Sequence, residues 1–187
     1  MEHKECISLL YGKVGEAIIR ELCLYSPTVR NKYNDTFVRY WCLPEFTIRY
    51  DKGTILPDGR FAISNRRMDA VILVQPTVNS LSQNFDFKVC IEIKTTINDL
   101  KKDDKMTYYL GWTDFFLLCV PDHLMEAAIE KASDDHRIGV ASITTGKIQK
   151  RPAWQDVPIG RKYGLMEQAF YKYSNNNKMN SFLLSIV

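Results

Sequence analysis

Apolar side chains recur at helical spacing along the first part of the chain. Within residues 2–25 they fall three or four positions apart, at Ile7, Leu10, Val14, Ile18 and Leu22. This spacing is typical of a helix with one apolar face. We expect the helix to end before the Ser-Pro-Thr sequence that follows, because proline ends helices.

The middle of the chain alternates between short apolar runs and turn-forming residues. Residues 38–64 mix aromatic and β-branched side chains with Lys-Gly and Pro-Asp-Gly, which predicts one or two strands with loops. The stretches RRMDAVILVQ (66–75) and FDFKVCIEIKTT (85–96) predict two further strands. The polar connection between them is longer than a tight hairpin.

The second half alternates between helical and extended patterns. The first predicted element is a helix that runs from Asn98, its expected N-cap, to Gly111. A strand buried on both faces (114–121) and a short helix (122–132) follow. The remaining predicted elements are a hairpin that turns at Thr-Gly (137–152), a helix (163–173) and a polar loop (174–180). This order of elements predicts an α/β fold with a central mixed β-sheet flanked by helices.

Length and composition favour one globular domain. The chain has 187 residues, of which 45% are hydrophobic and 25% charged, enough to bury a sizeable core. We expect a core at about residues 1–152 and a C-terminal extension at 153–187. No apolar run approaches the ~20 residues of a membrane helix, and the N-terminal sequence lacks the features of a signal peptide. We therefore expect a cytoplasmic protein with no membrane partner.

The cysteine content and the net charge add little about function. Five scattered cysteines match neither a disulfide framework nor a zinc site, so we expect them to be reduced. The net charge is only +3, although residues 146–187 carry seven basic and two acidic side chains. A basic tail can follow a phosphate backbone, but an ordinary solvated surface explains this excess at least as well.

Two opposite charges interrupt the apolar run VCIEIKTT (89–96). On a strand, Glu92 and Lys94 share one face, whereas Ile91 and Ile93 point to the other. Burying either charge is costly unless it has a partner. One face of this strand is therefore predicted to be apolar and the other to carry chemistry.

The candidate partner upstream is Asp69, a single acid in a strand-like run. If the two strands pair, Asp69 and Glu92 converge at one edge of the sheet, where a divalent cation would relieve their repulsion. Oxygen ligands favour Mg²⁺ or Mn²⁺, and the sequence has no nearby His or Cys cluster for zinc. Lys94 beside such an ion would position an attacking water or stabilise charge on a phosphate. Glu-x-Lys alone occurs by chance in many proteins; the order of acid, Glu-x-Lys and polar helix favours a site.

This arrangement, MDAVIL followed by VCIEIKTT, resembles the PD-(D/E)XK nuclease superfamily. More narrowly, residues 91–121 are similar to the MmcB-like DNA repair proteins, and the resemblance covers about residues 66–152. The matching positions after Glu-Ile-Lys are Asp99, Lys105, Tyr109, Asp114, Phe115, Phe116, Val120 and Pro121. The resemblance implies a restriction-endonuclease-like core, a metal held by Asp69 and Glu92, and hydrolysis of DNA.

The resemblance also implies roles for other residues. Lys105 and Tyr109 stand where related nucleases keep a Gln-x-x-x-Tyr pair that contacts substrate or supports the metal site; a solvated lysine and a tyrosine packed on the sheet explain them equally well. Many members bring a Glu from the first helix to the metal, and the candidate here is Glu16, although it points away from the apolar stripe. Arg66 and Arg67 are candidates for the phosphate backbone, with an exposed strand start as the simpler explanation.

Three classes of function remain. The leading interpretation is a Mg²⁺-dependent nuclease acting on DNA in repair or in the processing of phage or mobile-element DNA. The others are a non-catalytic nucleic-acid-binding or repair-accessory module, and a phage or mobile-element protein that assembles with a partner nuclease. Converging carboxylates are costly to keep, which favours the enzyme over the binding module. A homodimer is common where both strands are cut, but no sequence feature demands one.

Overall fold

A mixed β-sheet runs through the protein, with helices on both of its faces. The structure is a computed structural model that describes residues 2–25, 37–55, 57, 61–76, 87–174 and 181–185. Within these residues the sheet has seven strands in the order β6-β5-β4-β3-β2-β1-β7. The strands β3, β4 and β5 are parallel to one another, and every other neighbouring pair is antiparallel. The predicted α/β fold with a central mixed sheet flanked by helices is confirmed.

The described elements follow one another in this order: α1 (His3–Leu10), α2 (Lys13–Tyr25), β1 (Phe37–Ile55), β2 (Phe61–Pro76), β3 (Phe87–Ile93), α3 (Ile97–Lys102), α4 (Met106–Tyr109), β4 (Phe115–Val120), a 3₁₀ turn (Asp122–Leu124), α5 (Met125–Lys131), β5 (Ile138–Ser142), β6 (Ile148–Lys150), α6 (Ile159–Ser174) and β7 (Ser181–Ser185). The two strands predicted in residues 66–96 are therefore present as parts of β2 and β3, and they pair antiparallel. Their connection lies outside the described residues.

The helices α1 and α2 cover one face of the sheet. Their buried side chains include four residues of the predicted apolar stripe, Leu10, Val14, Ile18 and Leu22. The prediction of one continuous helix is wrong, because the helix is interrupted by a turn at Tyr11 and Gly12, between α1 and α2. The break brings the Leu10 carbonyl oxygen so close to Gly15 that a Cβ there would lie 2.2 Å from it. Only glycine fits this approach.

The opposite face packs against α3, α4, α5 and α6. This second core includes Leu100, Met106, Ala128 and Leu165 from those helices. The strand β4 lies between the two cores and is buried throughout, as its apolar run predicts. The parallel strands at the centre of the sheet are covered on both faces, so packing of the two cores fixes the positions of their ends.

The helix predicted from Asn98 to Gly111 is wrong in both its start and its continuity. Thr96 is the N-cap of α3, since its Oγ1 accepts a hydrogen bond from Asp99 N at 3.2 Å. The helix ends at Lys102, and α4 begins only after residues 103–105. Threonine and asparagine are both good N-caps, so local sequence did not separate the two positions.

The C-terminal extension is part of the same core. Its helix α6 is longer than the predicted 163–173 and buries Leu165 and Ala169 in the second core. The strand β7 pairs with β1 at the edge of the sheet. The predicted loop at 174–180 lies almost wholly outside the described residues. The hairpin of β5 and β6 is confirmed, with Gly146 at φ 77° in its turn.

Two further observations concern the cysteines and the length of the helices. All five cysteines lie in described parts of the chain, where each is buried and has a free thiol. Burial raises the pKa of Cys23 to about 12, so this thiol stays protonated at neutral pH. Among the described helices, none is long and apolar enough to cross a membrane.

Candidate active site

A cleft of about 430 Å³ opens where the pairing of β2 and β3 ends. The last pair of that ladder is Ala70 opposite Ile91, and Asp69 and Glu92 lie one residue beyond it. Seven of the eight predicted site residues line the cleft: Arg66, Arg67, Asp69, Glu92, Lys94, Lys105 and Tyr109. The structure therefore places Asp69, Glu92 and Lys94 in one cleft.

The carboxylate of Asp69 is fixed from two sides. Its Oδ2 accepts a hydrogen bond from the backbone N–H of Ile93 at 2.7 Å, which ties the middle of β2 to the end of β3. Its Oδ1 lies 3.1 Å from Nε2 of His3 at the start of α1. Only 14% of the Asp69 side chain is exposed. Asp69 is thus held at the cleft wall rather than free in solvent.

The backbone around Asp69 is irregular. Met68 packs in the second core, whereas Ala70, two residues on, packs beneath α1 and α2. In a regular strand these two side chains would share a face, so β2 turns about its axis at Asp69. Glu45 and Asp69 are both skipped by the pairing of β1 and β2, which passes from Pro44–Ala70 to Phe46–Met68. Glu45 has φ 47°, a left-handed conformation that is uncommon for a residue other than glycine. Such strain costs about 1–3 kcal/mol and is found most often at functional sites.

Glu92 is a buried carboxyl group with one satisfied oxygen. Its Oε1 accepts a hydrogen bond from Lys94 Nζ at 2.9 Å, whereas Oε2 is buried and has no hydrogen-bond partner among the described residues. Burial first, and the negative charge of Asp69 second, raise the pKa of Glu92 from 4.5 to about 7 despite the lowering effect of Lys94. A buried oxygen without a partner is costly, so this atom is suited to a cationic ligand.

Lys94 is held between carboxylates. Its Nζ lies 2.9 Å from Glu92 Oε1, 2.8 Å from Asp103 Oδ2 and 3.7 Å from Asp99 Oδ1. Burial alone would lower the pKa of Lys94, yet Asp103 and Glu92 outweigh it and raise the pKa above the ordinary value. Lys94 therefore stays protonated at neutral pH and acts as a fixed positive charge, not as a base.

The wall beside Lys94 is fixed by Asp103. The Asp103 side chain is 2% exposed, and its Oδ1 accepts a hydrogen bond from the backbone N–H of Lys105 at 2.7 Å. The same carboxylate therefore orders the break between α3 and α4 and orients the Lys94 ammonium. Sequence reasoning missed this residue, because it expected a continuous helix through this position.

Four basic side chains lie around the cleft, and we call them the basic rim: Arg66, Arg67, Lys102 and Lys105. Arg67 lies 3.6 Å from Glu45, with both side chains more than 60% exposed. The Arg66 guanidinium lies 4.7 Å from the centre of the Tyr108 ring. Arg67, Lys102 and Lys105 are exposed and Arg66 is half-buried. A set of basic side chains of this kind can bind a phosphate backbone.

Tyr109 both packs on the sheet and lines the cleft. Its ring is nearly parallel to that of Phe116, with centroids 6.2 Å apart and an interplanar angle of 13°. Its hydroxyl donates a hydrogen bond to the Arg67 carbonyl at 2.8 Å, and burial raises its pKa above the ordinary value of 10. Tyr109 is therefore a neutral residue that fixes α4 against the middle of β2. Lys105, which precedes α4, is exposed at the cleft mouth.

One predicted site residue lies outside the cleft, and two other residues have contacts that the sequence did not predict. Glu16 does not line the cleft; its charge acts on Tyr40, whose pKa is raised by burial first and by Glu16 second. We therefore leave Glu16 out of the site. Asp114 is fully buried elsewhere, 3.1 Å from Lys162 Nζ. His3 had no predicted role but contacts Asp69, a long-range pairing that no local pattern signals.

The donor set of Asp69 and Glu92 fits Mg²⁺ or Mn²⁺. Both supply hard carboxylate oxygens, and Glu92 Oε2 is buried without a partner in the described parts of the chain. Within those parts no group of three or more His, Cys, Asp or Glu side chains could hold a metal ion. Mg²⁺ commonly binds through one or two carboxylates and completes its shell with water and substrate phosphate. Two carboxylates are therefore a sufficient protein contribution.

Comparisons with known proteins give no functional relative. No family model matches the chain, and no curated protein matches it. One solved structure is similar, a protein of unknown function from Silicibacter pomeroyi. It is 14% identical, with a TM-score of 0.44, and the match covers 71% of this chain and 77% of the other.

Proposed function

We propose that this protein is a Mg²⁺- or Mn²⁺-dependent deoxyribonuclease of the PD-(D/E)XK type, similar to the MmcB-like DNA repair proteins. One observation carries the proposal. In a cleft open to solvent, the buried and unsatisfied Glu92 Oε2 lies beside Asp69 and the fixed positive charge of Lys94. Protein stability alone does not favour such a cluster, because buried charges are rarely a net gain.

Each residue has a distinct part in the proposed reaction. Asp69 and Glu92 would hold the divalent cation, which when bound supplies Lewis-acid activation of the phosphate and of a water molecule. Lys94, fixed between Glu92 and Asp103, would stabilise the negative charge that develops on the scissile phosphate. The basic rim would bind neighbouring phosphates without reading base sequence.

The test is DNA cleavage with matched controls. Plasmid and single-stranded DNA are incubated with Mg²⁺ or Mn²⁺, and cleavage is compared with chelator and with the variants Glu92→Gln and Lys94→Ala. We expect each substitution to lower the rate by roughly 100-fold or more, the usual effect of removing one electrostatic contact to the transition state. Glu130→Gln and Lys147→Ala, which change exposed residues outside the cleft, should cleave like the wild type. Cleavage that survives both cleft substitutions would refute the assignment.

One observation favours a second candidate, a DNA-binding or repair-accessory module without turnover. Both oxygens of Asp69 already have partners in the folded chain, Ile93 N and His3 Nε2. A cation at Asp69 must therefore compete with His3. If the protein is a nuclease, His3→Ala should lower the Mg²⁺ concentration needed for half-maximal cleavage. A module of the second kind would bind DNA in chelator and would not cut it with either metal, with or without His3.

A further inference from the structure

We propose that Tyr108 and Arg66 form a stacking site for an unpaired nucleobase at the mouth of the cleft. This inference rests on the proposed function and names the form of DNA that the site accepts: a single strand or an unpaired segment of duplex. The pair lies outside the carboxylate cluster. Arg66 also belongs to the basic rim, whereas Tyr108 has no part in the reaction proposed above.

The first observation is the exposure of Tyr108 beside its buried neighbour. Tyr108 is 51% exposed, whereas Tyr109 is 3% exposed. Burial of Tyr109 against Phe116 and its hydrogen bond to Arg67 anchor the short helix α4. The adjoining Tyr108 ring is thereby held at the surface by a rigid element. Tyr108 therefore presents to solvent an aromatic face on which a nucleobase can stack.

The second observation is the position of Arg66. Its guanidinium lies 4.7 Å from the centroid of the Tyr108 ring, and Arg66 also lines the cleft that contains Asp69 and Glu92. The aromatic ring is therefore continuous with the basic rim. A guanidinium and an aromatic ring both stack on nucleobases, and Arg66 is also placed to contact phosphate.

These features favour single strands over intact duplex. The bases of a duplex are already stacked on each other and offer only their edges, whereas an unpaired base exposes its π-face. A backbone bound along the basic rim would bring the base of a neighbouring nucleotide to Tyr108. Stacking is tolerant of base identity, so we expect little sequence preference.

The test measures binding in chelator, where no cleavage occurs. Short single-stranded and duplex oligonucleotides are titrated with wild-type protein, Tyr108→Ala, Tyr108→Phe and Tyr163→Ala. We expect Tyr108→Ala to weaken single-strand binding about tenfold, the loss of one stacked base, and to change duplex binding less than about twofold. Tyr108→Phe keeps the ring and should bind like the wild type. Tyr163, 63% exposed on α6 and outside the cleft, is the matched control.

A second readout reports stacking directly. Single strands that contain 2-aminopurine should lose fluorescence on binding to wild type and to Tyr108→Phe, but not to Tyr108→Ala. The inference would be overturned if Tyr108→Ala lost affinity equally for duplex and for single strands. It would also be overturned if Tyr108→Phe lost as much single-strand affinity as Tyr108→Ala. If Tyr108→Ala binds single strands normally while the wild type cleaves DNA, the stacking site fails and the nuclease stands. If stacking is observed but no metal supports cleavage, the nuclease fails and the stacking site stands.

Discussion

Replacing Glu92 by glutamine should stabilise the protein at neutral and alkaline pH. Glu92 is 6% exposed, and the pKa of its carboxyl group rises from 4.5 to about 7 in the folded state. At 1.36 kcal/mol for each pH unit, holding Glu92 ionised costs the folded protein about 3 kcal/mol. Glutamine has the same shape and keeps an acceptor for Lys94 Nζ, but it carries no charge.

The sign of the pH dependence follows from the direction of the pKa change. A carboxyl group whose pKa is raised by folding binds its proton more tightly in the folded state. The stability that this proton contributes is fully present below pH 4.5 and is lost as the pH rises to about 7. Wild type and Glu92→Gln should therefore melt together in acid. Above pH 7 the variant should melt roughly 6–12 °C higher, since 1 kcal/mol shifts the melting temperature of a chain of this size by about 2–4 °C.

The assay is thermal unfolding followed by circular dichroism, from pH 4.5 to pH 8, in chelator. Glu130→Gln, on the exposed face of α5, controls for the loss of a charge at the surface. When Mg²⁺ replaces the chelator at ten times its dissociation constant, it should stabilise the wild type by about 1.4 kcal/mol. It should not stabilise Glu92→Gln. Equal melting temperatures at pH 8, or a difference that grows toward acid, would refute the reasoning.

Three further predictions concern the cleft wall and its charges. Asp103→Asn removes the anion 2.8 Å from Lys94 Nζ and should lower kcat about 10–100-fold with KM little changed, because Lys94 acts on the transition state. The control Asp104→Asn changes the exposed neighbouring residue and should alter neither kcat nor KM. A change in KM alone for Asp103→Asn would contradict this role. Tyr109→Phe removes the donor to the Arg67 carbonyl and should cost about 1 kcal/mol in chemical denaturation; an unchanged midpoint would show that the bond contributes nothing. Affinity for single strands should fall with salt. A plot of the logarithm of the association constant against the logarithm of the salt concentration should have a slope of about −3 for the four side chains of the basic rim. A slope near zero would exclude the basic rim as the phosphate contact.

The sequence predicted the placement of Glu92 and Lys94 because side chains alternate regularly along β3. Alternation puts Glu92 and Lys94, the residue just past the end of β3, on one face. The neighbouring strand β2 brings Asp69 to the same cleft, although β2 departs from regular alternation at Asp69. The period does not depend on the rest of the fold. The apolar stripe of the first two helices was predictable for the same reason, although the interruption at Gly12 was not.

The contacts that the sequence did not predict join distant parts of the chain. His3 reaches Asp69 across 66 positions, and no local pattern records such a pairing. The role of Asp103 was not predicted because the residues on either side of it have helical character, which led to the expectation of one helix. The interruption of the helix accompanies a tertiary contact between Asp103 and Lys94, which local sequence does not record. Local propensity is overridden in this way wherever a buried charge needs a partner.

Pairing of β7 with β1 has a consequence for how the chain folds during synthesis. Residues 37–41 of β1 take residues 181–185 as their outer neighbour, so that edge of the sheet stays open until residues 181–185 have left the ribosome. Exposed strand edges recruit other chains. We expect a chain ended at Ser174 to form aggregates, detected as light scattering during refolding, and clear solutions at equal concentration would show that this edge is protected in another way.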